Sequence, residues 1–196
     1  MDDGYHDLPA GKIGCIVTFL EMNALPAPRP VPARPDLALR RLGRADTALY
    51  ARIYRTIGER WLWFSRLGLD RDALAEIIGD PAVKAYAVLL DGAPAGLLEI
   101  DFRKGDEAEL AFFGLYEAAI GTGAGRWLMQ QALEMAWAHP IRRFWLHTCT
   151  LDHPGAIAFY RRSGFSPYKC ALEIADDPRL AGLLPRDSLP DIPLAE

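Results

Sequence analysis

Three glycines at alternating positions, Gly121, Gly123 and Gly125, stand between a predicted strand and a long predicted helix. Glycine lets the backbone come close to a ligand, and the first turn of a helix presents unpaired N–H groups and the positive end of its dipole. The pattern is therefore typical of a diphosphate site. Its GxGxG spacing matches neither the P-loop nor the dinucleotide pattern GxGxxG. The alternative interpretation is a tightly packed helix start without a ligand.

A second candidate segment contains Ala156 and Tyr160, which are four residues apart and therefore share one face of a short predicted helix. Gly164 suits the end of this helix. The small side chain of Ala156 would leave room for a ligand beside Tyr160. Taken alone, a tyrosine on a short helix is more often a core residue than a catalytic one.

Side chains that can bind metals lie between these two segments. His147 and Cys149 would share one face of a strand, and Asp152 and His153 follow. A tetrahedral zinc site needs a further pair of ligands, so we predict no metal. A nucleophilic Cys149 is a second alternative, which we do not favour because a cysteine in a strand is usually inert core.

Hydrophobic periodicity predicts the elements that would position these residues. Strands are expected at 37–42, 84–90, 96–102, 109–115, 144–149 and 168–174, and helices at 44–57, 70–78, 121–138 and 155–163. Asp91-Gly92 favours a hairpin turn, and Asp70 would be the N-cap of the second helix. We therefore predict an α/β fold of the α+β type, in which helices flank a mixed, mostly antiparallel central sheet.

Composition divides the chain into three parts. Residues 1–35 form an N-terminal extension, with a predicted strand at 13–20 and a linker that has five prolines from Leu25 to Pro35. We interpret this strand as an appendage, either an edge strand or a subunit contact. Residues 36–175 form the main domain, and residues 176–196 form an irregular tail.

Charge and cysteine content exclude several classes of partner. A net charge of -4 argues against nucleic acid, whose binding needs a basic surface. The apolar stretch at 13–20 is too short to span a bilayer, so we expect no membrane partner. Three widely spaced cysteines argue against a disulfide framework and favour a reducing compartment, the cytoplasm.

The glycine and tyrosine segments together resemble the GCN5-related N-acetyltransferase (GNAT) family. IGTGAG at 120–125 is similar to the family pattern [Q/R]xxGxG/A, and residues 153–165 are similar to NxxAxxxYxxxGF. The long helix and single strand between the two motifs match as well, and the resemblance covers residues 36–175. Ile120 stands where the family has Arg or Gln, and His153 stands where it has Asn.

This resemblance implies a GNAT fold with splayed strands at an acyl-CoA site, and transfer of an acetyl group from acetyl-CoA to an amine by direct attack. The backbone of Leu115 and Tyr116 would receive the thioester arm and polarise its carbonyl. Tyr160 would hydrogen-bond or protonate the departing thiolate. The implied cofactor-binding residues are Leu115, Tyr116, Ile120, Gly121, Thr122, Gly123, Ala124, Gly125, Arg126, His153, Ala156 and Tyr160.

A general base is expected, since freeing an amine of its proton at neutral pH costs about 4–5 kcal/mol. Glu109 is our candidate, because strand alternation with Ala111, Phe113 and Leu115 would project it beside the thioester, where a water could relay the proton. Glu99 and Asp101 are the substitutes. The simpler interpretation of Glu109 is a solvated strand residue.

Trp61 and Trp63 follow the first predicted helix and would border the acceptor pocket, although core packing of large aromatics explains them equally well. The expected partner is a small-molecule amine or a peptide, and a homodimer is a further expectation. Two rivals stay open. One is a non-catalytic acyl-CoA-binding or interaction module with the same fold, and the other is a nucleotide-binding protein.

Overall fold

Seven strands join in one mixed sheet in the computed structural model, which describes residues 2–27 and 29–196. Pro28 of the predicted linker lies outside the described residues. The strands are β1 (Lys12–Met22), β2 (Leu37–Arg41), β3 (Val83–Leu90), β4 (Ala93–Asp101), β5 (Glu107–Leu115), β6 (Arg143–Cys149) and β7 (Ser166–Asp176). Their order is β2-β3-β4-β5-β6-β1-β7, and only β5 and β6 run parallel. The predicted mixed, mostly antiparallel sheet is confirmed.

Four helices cover the two faces of this sheet: α1 (Thr47–Gly58), α2 (Arg71–Gly79), α3 (Ala124–Trp137) and α4 (Ala156–Arg162). Successive strand residues point to opposite faces. Leu97 accordingly packs in the cluster under α1 and α2, while Leu98 packs in the cluster that contains α3 and the aromatic residues of α4. The chain therefore has an α1/α2 side and an α3/α4 side. None of the described helices is both long and apolar enough to cross a membrane.

Two local predictions are confirmed by backbone geometry. The carboxylate of Asp70 accepts a hydrogen bond from the amide of Ala73 at 2.8 Å, which caps α2. Asp91 and Gly92 have φ angles of 50° and 80° in the β3–β4 hairpin. Two consecutive left-handed residues are what a tight hairpin with twisted strands requires.

The position of β1 differs from the prediction. β1 lies between β6 and β7, and Val17 is opposite Cys149 on one side and Ala171 on the other. The interpretation of β1 as an edge strand was wrong, because both of its hydrogen-bonding edges are occupied. A subunit contact through β1 stays a prediction. Strand propensity identifies a strand but not its neighbours, which are decided by long-range pairing.

A β-bulge in β5 changes which face of the sheet its side chains occupy. Glu99 pairs with Phe112 and Ile100 pairs with Leu110, so Ala111 is an extra residue in β5. Glu109 consequently faces the α1/α2 side together with Phe112, and not the side of Phe113 and Leu115. The predicted common face of Glu109, Ala111, Phe113 and Leu115 was wrong, because a bulge inverts the alternation beyond it.

The tail after β7 contains no helix or strand in residues 177–196, all of which the structure describes. It is nevertheless anchored. Asp177 and Arg179 form an ion pair of 2.7 Å that is almost completely buried, and Leu184 packs against Ile13 and Leu62. The tail thereby supports the segment that follows α1.

Candidate active site

A cleft of about 630 Å³ opens where β5 and β6 separate. The two strands pair only from Glu107–Arg143 to Glu109–Trp145, although both continue for several residues beyond. Past this point the facing edges of two parallel strands are unpaired, so backbone groups that would otherwise join the ladder line the cleft. The split predicted from the family resemblance is therefore present.

The glycine turn forms one wall of the cleft. Gly121 and Gly123 have φ angles of 80° and 89°, which are left-handed values that glycine adopts without strain. α3 begins immediately afterwards, at Ala124. No hydrogen bond joins the amide of Gly121, Gly123 or Gly125 to another described residue. Unpaired donors and the positive end of the α3 dipole thus meet at one place, which suits an anionic group.

Nine of the twelve predicted cofactor-binding residues line the cleft, and three do not. Those that line the cleft are Leu115, Ile120, Gly121, Gly123, Gly125, Arg126, His153, Ala156 and Tyr160. Ala124 is buried in the core beneath α3. Thr122 lies at a smaller neighbouring cavity. The amide of Tyr116 donates to the carbonyl of Ala95 on β4 at 2.7 Å, and its side chain packs on the α1/α2 side.

The amide of Tyr116 also fixes the direction of its neighbour. Consecutive residues of a strand direct their N–H groups to opposite sides. Because Tyr116 donates towards β4, the amide of Leu115 points to the open side of β5, into the split. Of the two residues predicted to receive the thioester arm, only Leu115 directs its N–H group into the split.

Tyr160 lies on the α3/α4 side of the cleft, packed between Phe159 and Phe165 with ring centroids at 5.6 and 6.1 Å. Its hydroxyl forms no hydrogen bond with another described residue. Burial, and secondarily the negative charge of Asp152, raises the pKa of Tyr160 well above its ordinary value. The hydroxyl is therefore protonated at neutral pH and can act as a donor.

His153 accepts two hydrogen bonds from the residues that follow it. Its Nδ1 accepts the amide of Gly155 at 2.9 Å, and its carbonyl accepts the amide of Ala156 at 2.8 Å. These two bonds shape the turn that leads into α4. A ring nitrogen that accepts from the backbone resembles a side-chain amide oxygen in this role.

The two tryptophans lie at the α1/α2 side of the cleft. Leu62 between them has a φ of 52° and is buried, so the chain reverses and both neighbouring indoles line the cleft. Trp61 contacts His153 edge-on at 5.4 Å. Trp63 packs on Gly114, where an added Cβ would come within 3.1 Å of the indole. Trp63 therefore lines the pocket and also packs against the core.

Asp152 is a site residue that the motif analysis considered only as a metal ligand. Its Oδ1 accepts from the indole N–H of Trp63 at 2.9 Å, and its Oδ2 accepts from the hydroxyl of Thr148 at 2.7 Å and the amide of Cys149 at 3.0 Å. The carboxylate lines the cleft. The sequence did contain a local signal for this role of Asp152, because an aspartate just after a strand often accepts hydrogen bonds from nearby backbone amides.

The predicted base, Glu109, does not line the cleft. Its Oε1 lies 3.4 Å from Nδ1 of His147, and its Oε2 accepts from Lys104 at 3.4 Å. His147 does line the cleft. The substitutes are engaged elsewhere: Glu99 is fully buried and holds Tyr50 and Arg66 at 2.5 and 2.7 Å, and Asp101 pairs with Arg103 at 2.6 Å.

Cys15 and Cys149 are poor nucleophiles in this structure. Burial raises the pKa of both Cys15 and Cys149, so the thiols are protonated and weakly nucleophilic at neutral pH. Within residues 2–27 and 29–196, no group of three or more His, Cys, Asp or Glu side chains is arranged to hold a metal ion.

Arg34 is a further residue that sequence reasoning missed. Its Nη1 donates to the carbonyl of Thr122 at 2.9 Å, while its Nε and Nη2 hold Asp36. A Cβ on Gly123 would lie 3.7 Å from Arg34 and 3.9 Å from Arg126. Two guanidinium groups therefore flank the glycine turn. No local pattern marks Arg34, because it comes from the segment predicted as a linker.

The split sheet and its glycine-lined cleft have the features of the class that the two motifs resemble. A model of the acetyltransferase (GNAT) family matches residues 50–165, which is more than half of the chain. The chain therefore belongs to the GNAT acetyltransferase family. No curated protein matches the chain.

Solved structures agree on the fold. A GCN5-related N-acetyltransferase from Sphaerobacter thermophilus has a TM-score of 0.58 at 16% identity, over 83% of this chain and 51% of that chain. An acetyltransferase from Thermus thermophilus has a TM-score of 0.52 at 23% identity, over 71% and 96%. An aminoglycoside acetyltransferase from an uncultured soil metagenomic sample, in complex with sisomicin, has a TM-score of 0.54 at 14% identity, over 66% and 88%.

Among the first of the similar structures, this chain spans 51 to 67% of the other protein's length. All identities given are below 25%, so the likeness defines the fold and leaves the acceptor open.

Proposed function

We propose that this protein is an acetyl-CoA-dependent N-acetyltransferase that transfers the acetyl group to a primary amine by direct attack. One observation carries the proposal: the cleft at the β5–β6 split is lined by the Gly121–Gly125 turn and by Tyr160 together. A wall that binds a diphosphate can hold a thioester carrier. A protonated hydroxyl in the same cleft can donate to the departing thiolate.

The residues present fit the carrier. The unbonded amides of Gly121, Gly123 and Gly125 would hold the diphosphate, with Arg126 and Arg34 as flanking cations. Arg34 would supply the charge that Ile120 lacks at the family's Arg or Gln position. A Cβ added to Gly125 would lie 3.6 Å from the ring of Phe159, so a larger residue at this position would narrow the cleft. When bound, acetyl-CoA supplies the thioester.

The roles of two residues follow from their positions. The amide of Leu115 points into the split and would polarise the carbonyl of the thioester. Tyr160 would donate its proton to the departing thiolate. A preorganised donor of this kind is effective because it needs no rearrangement when charge develops.

The acceptor is proposed to be a cationic amine, either a small molecule or a peptide terminus or side chain. On the α1/α2 side, the cleft is lined by the indoles of Trp61 and Trp63 and by the carboxylates of Asp152 and Glu173. Aromatic faces and carboxylates both attract an ammonium group. An aminoglycoside is the amine named for one structural neighbour, and it belongs in the test panel for that reason.

Thermal stabilisation by acetyl-CoA, compared with ATP and NAD, tests the cofactor, and release of free thiol across an amine panel tests transfer. Stabilisation by acetyl-CoA alone together with thiol release is the expected result. Stabilisation without release from any amine would favour the non-catalytic acyl-CoA-binding module. Competition by ATP or NAD would favour a nucleotide site.

Two further expectations belong to this proposal. The free thiols of Cys15, Cys149 and Cys170 are consistent with a reducing compartment, and we propose the cytoplasm. We also propose a homodimer, for which β2 and β7 offer the two edges of the sheet. Light scattering of the purified chain measures its mass directly.

A further inference from the structure

An imidazole and a carboxylate meet where the two parallel strands separate. Nδ1 of His147 lies 3.4 Å from Oε1 of Glu109. The Glu109 side chain is 16% exposed, and the His147 side chain is 48% exposed and lines the cleft. The carboxylate is thus behind the imidazole, and only the imidazole reaches the cavity.

Strand register places His147 at the opening of the split. The last pair of β5 and β6 is Glu109–Trp145. His147 follows Trp145 by two residues, so the two side chains lie on the same face of β6. His147 is therefore the first side chain on that face beyond the last paired residue. The bulged residue of β5, Ala111, lines the same cleft with a small side chain.

His147 and Tyr160 approach the split from opposite sides of the sheet. Tyr160 packs with the α3/α4 cluster, whereas the ring of His147 lies 5.8 Å from Phe19 and 6.4 Å from Trp145 on the side that Glu109 faces. Direct transfer needs a base beside the attacking amine and an acid beside the leaving thiol. These two positions lie on opposite sides of the carbonyl carbon.

The charged groups around His147 are mainly acidic. Glu109 acts on it first, and Asp152 and Glu173 act from the β6–α4 turn and from β7, so the pKa of His147 is raised above its usual 6.5. The cations nearby act on other groups: Lys104 contacts Glu109, and Lys169 lies over the ring of Phe19. The carboxylate at Nδ1 favours the tautomer with its proton there, leaving Nε2 as the acceptor.

We propose that His147 is the general base of the transfer, and that Glu109 is a positioning residue that orients the imidazole. This inference rests on the proposed acetyltransferase function. Nε2 of His147 first takes a proton from the ammonium group of the acceptor, and the neutral amine nitrogen then bonds to the thioester carbon. The carbon–sulfur bond breaks, the electron pair leaves with sulfur, and the Tyr160 proton neutralises the thiolate. The second proton of the new amide nitrogen returns through water to Tyr160, and His147 releases its proton to solvent, so the net reaction converts ammonium and thioester to amide, thiol and one proton.

The test compares the wild type, His147→Gln and Glu109→Gln with two acceptors: an alkylamine, which is protonated at neutral pH, and methoxyamine, which is not. His139→Gln is the matched control, since His139 is exposed and contacts Phe102 far from the split. With the alkylamine, His147→Gln should lower kcat by about 10²-fold or more, and with methoxyamine by less than about 5-fold.

The pH profile separates a positioning role from a structural one. The wild-type kcat should fall on the acid side as His147 becomes protonated, and this limb should be absent from His147→Gln. Glu109→Gln should move the limb to lower pH and leave the KM for acetyl-CoA unchanged. Equal losses with both amines, or an unchanged acid limb in His147→Gln, would overturn the inference while the acetyltransferase function stands. Absence of transfer by the wild type across the panel would overturn both.

Discussion

The indole N–H of Trp63 donates to Oδ1 of Asp152 at 2.9 Å, which joins the segment after α1 to the turn after β6. This contact joins two parts of the cleft wall that are far apart in the sequence. Because Asp152 also holds Thr148 and Cys149, the bond aligns the aromatic wall with the end of β6. The side of the cleft that we propose for the acceptor is thereby joined to the strand that carries His147.

Trp63→Phe should raise the KM for the amine several-fold while thermal stabilisation by acetyl-CoA is unchanged. Phenylalanine keeps the aromatic packing but leaves Oδ1 of Asp152 without its donor, at a cost of about 1–3 kcal/mol. Steady-state kinetics and thermal shifts measure the two effects. Trp137→Phe is the control, because its buried indole N–H has no partner among the described residues. An unchanged KM would contradict the acceptor assignment.

Tyr160→Phe should lower kcat by roughly 10- to 10³-fold, with little change in melting temperature, because its hydroxyl bonds to no other described residue. The pKa of Tyr160 is raised above its ordinary 10.0. The hydroxyl is therefore protonated throughout the assay range, and the defect should be the same at every pH below about 10. Tyr86→Phe, distant from the cleft, is the matched control. A defect that varies with pH would argue against this acid.

Gly123→Ala should weaken the thermal stabilisation by acetyl-CoA. Alanine at a φ of 89° costs about 1–2 kcal/mol, so the helix start would shift and its amides would lose their common direction. Gly92→Ala is a matched control, because Gly92 has a φ of 80° in a hairpin remote from the cleft. Both variants should be destabilised without ligand. If both respond equally to acetyl-CoA, the glycine turn is not the diphosphate site.

Arg34→Gln should weaken acetyl-CoA binding by about 10-fold at low salt, and by less as the salt concentration rises, because it removes a cation beside the diphosphate wall. Arg40→Gln is the control, since Arg40 pairs with Asp46 elsewhere on the surface. Isothermal titration at two salt concentrations measures the difference. Equal affinities for the two variants would exclude Arg34 from the site.

Arg179→Gln should lower the free energy of unfolding by about 3–5 kcal/mol, because it leaves the buried Asp177 without its partner. Arg186→Gln, whose pair with Glu196 is exposed, should change it by less than about 1 kcal/mol. Arg179 lowers the pKa of Asp177 from its usual 3.8. The wild type should therefore lose this stabilisation only below about pH 4, as the carboxylate is protonated. Urea titrations at neutral and acidic pH measure both effects.

Short-range patterns predicted the elements well, whereas three features of the site depend on long-range contacts. The bulge at Ala111 is visible only in the pairing of β5 with β4. The place of β1 depends on β6 and β7, and Arg34 reaches the glycine turn across 88 residues. None of these leaves a periodic signal, because each results from how separate segments pack.

The sequence by itself determined the helices and strands, the glycine turn that opens α3, and the pair of motifs that contain Gly123 and Tyr160. Local backbone preferences and the spacing of apolar residues are sufficient for these features. Tertiary structure alone decided that Glu109 faces His147 and not the cleft, and that Asp152 meets Trp63. Which side chains become neighbours depends on strand register and on the split between β5 and β6, and these are properties of the whole packed sheet.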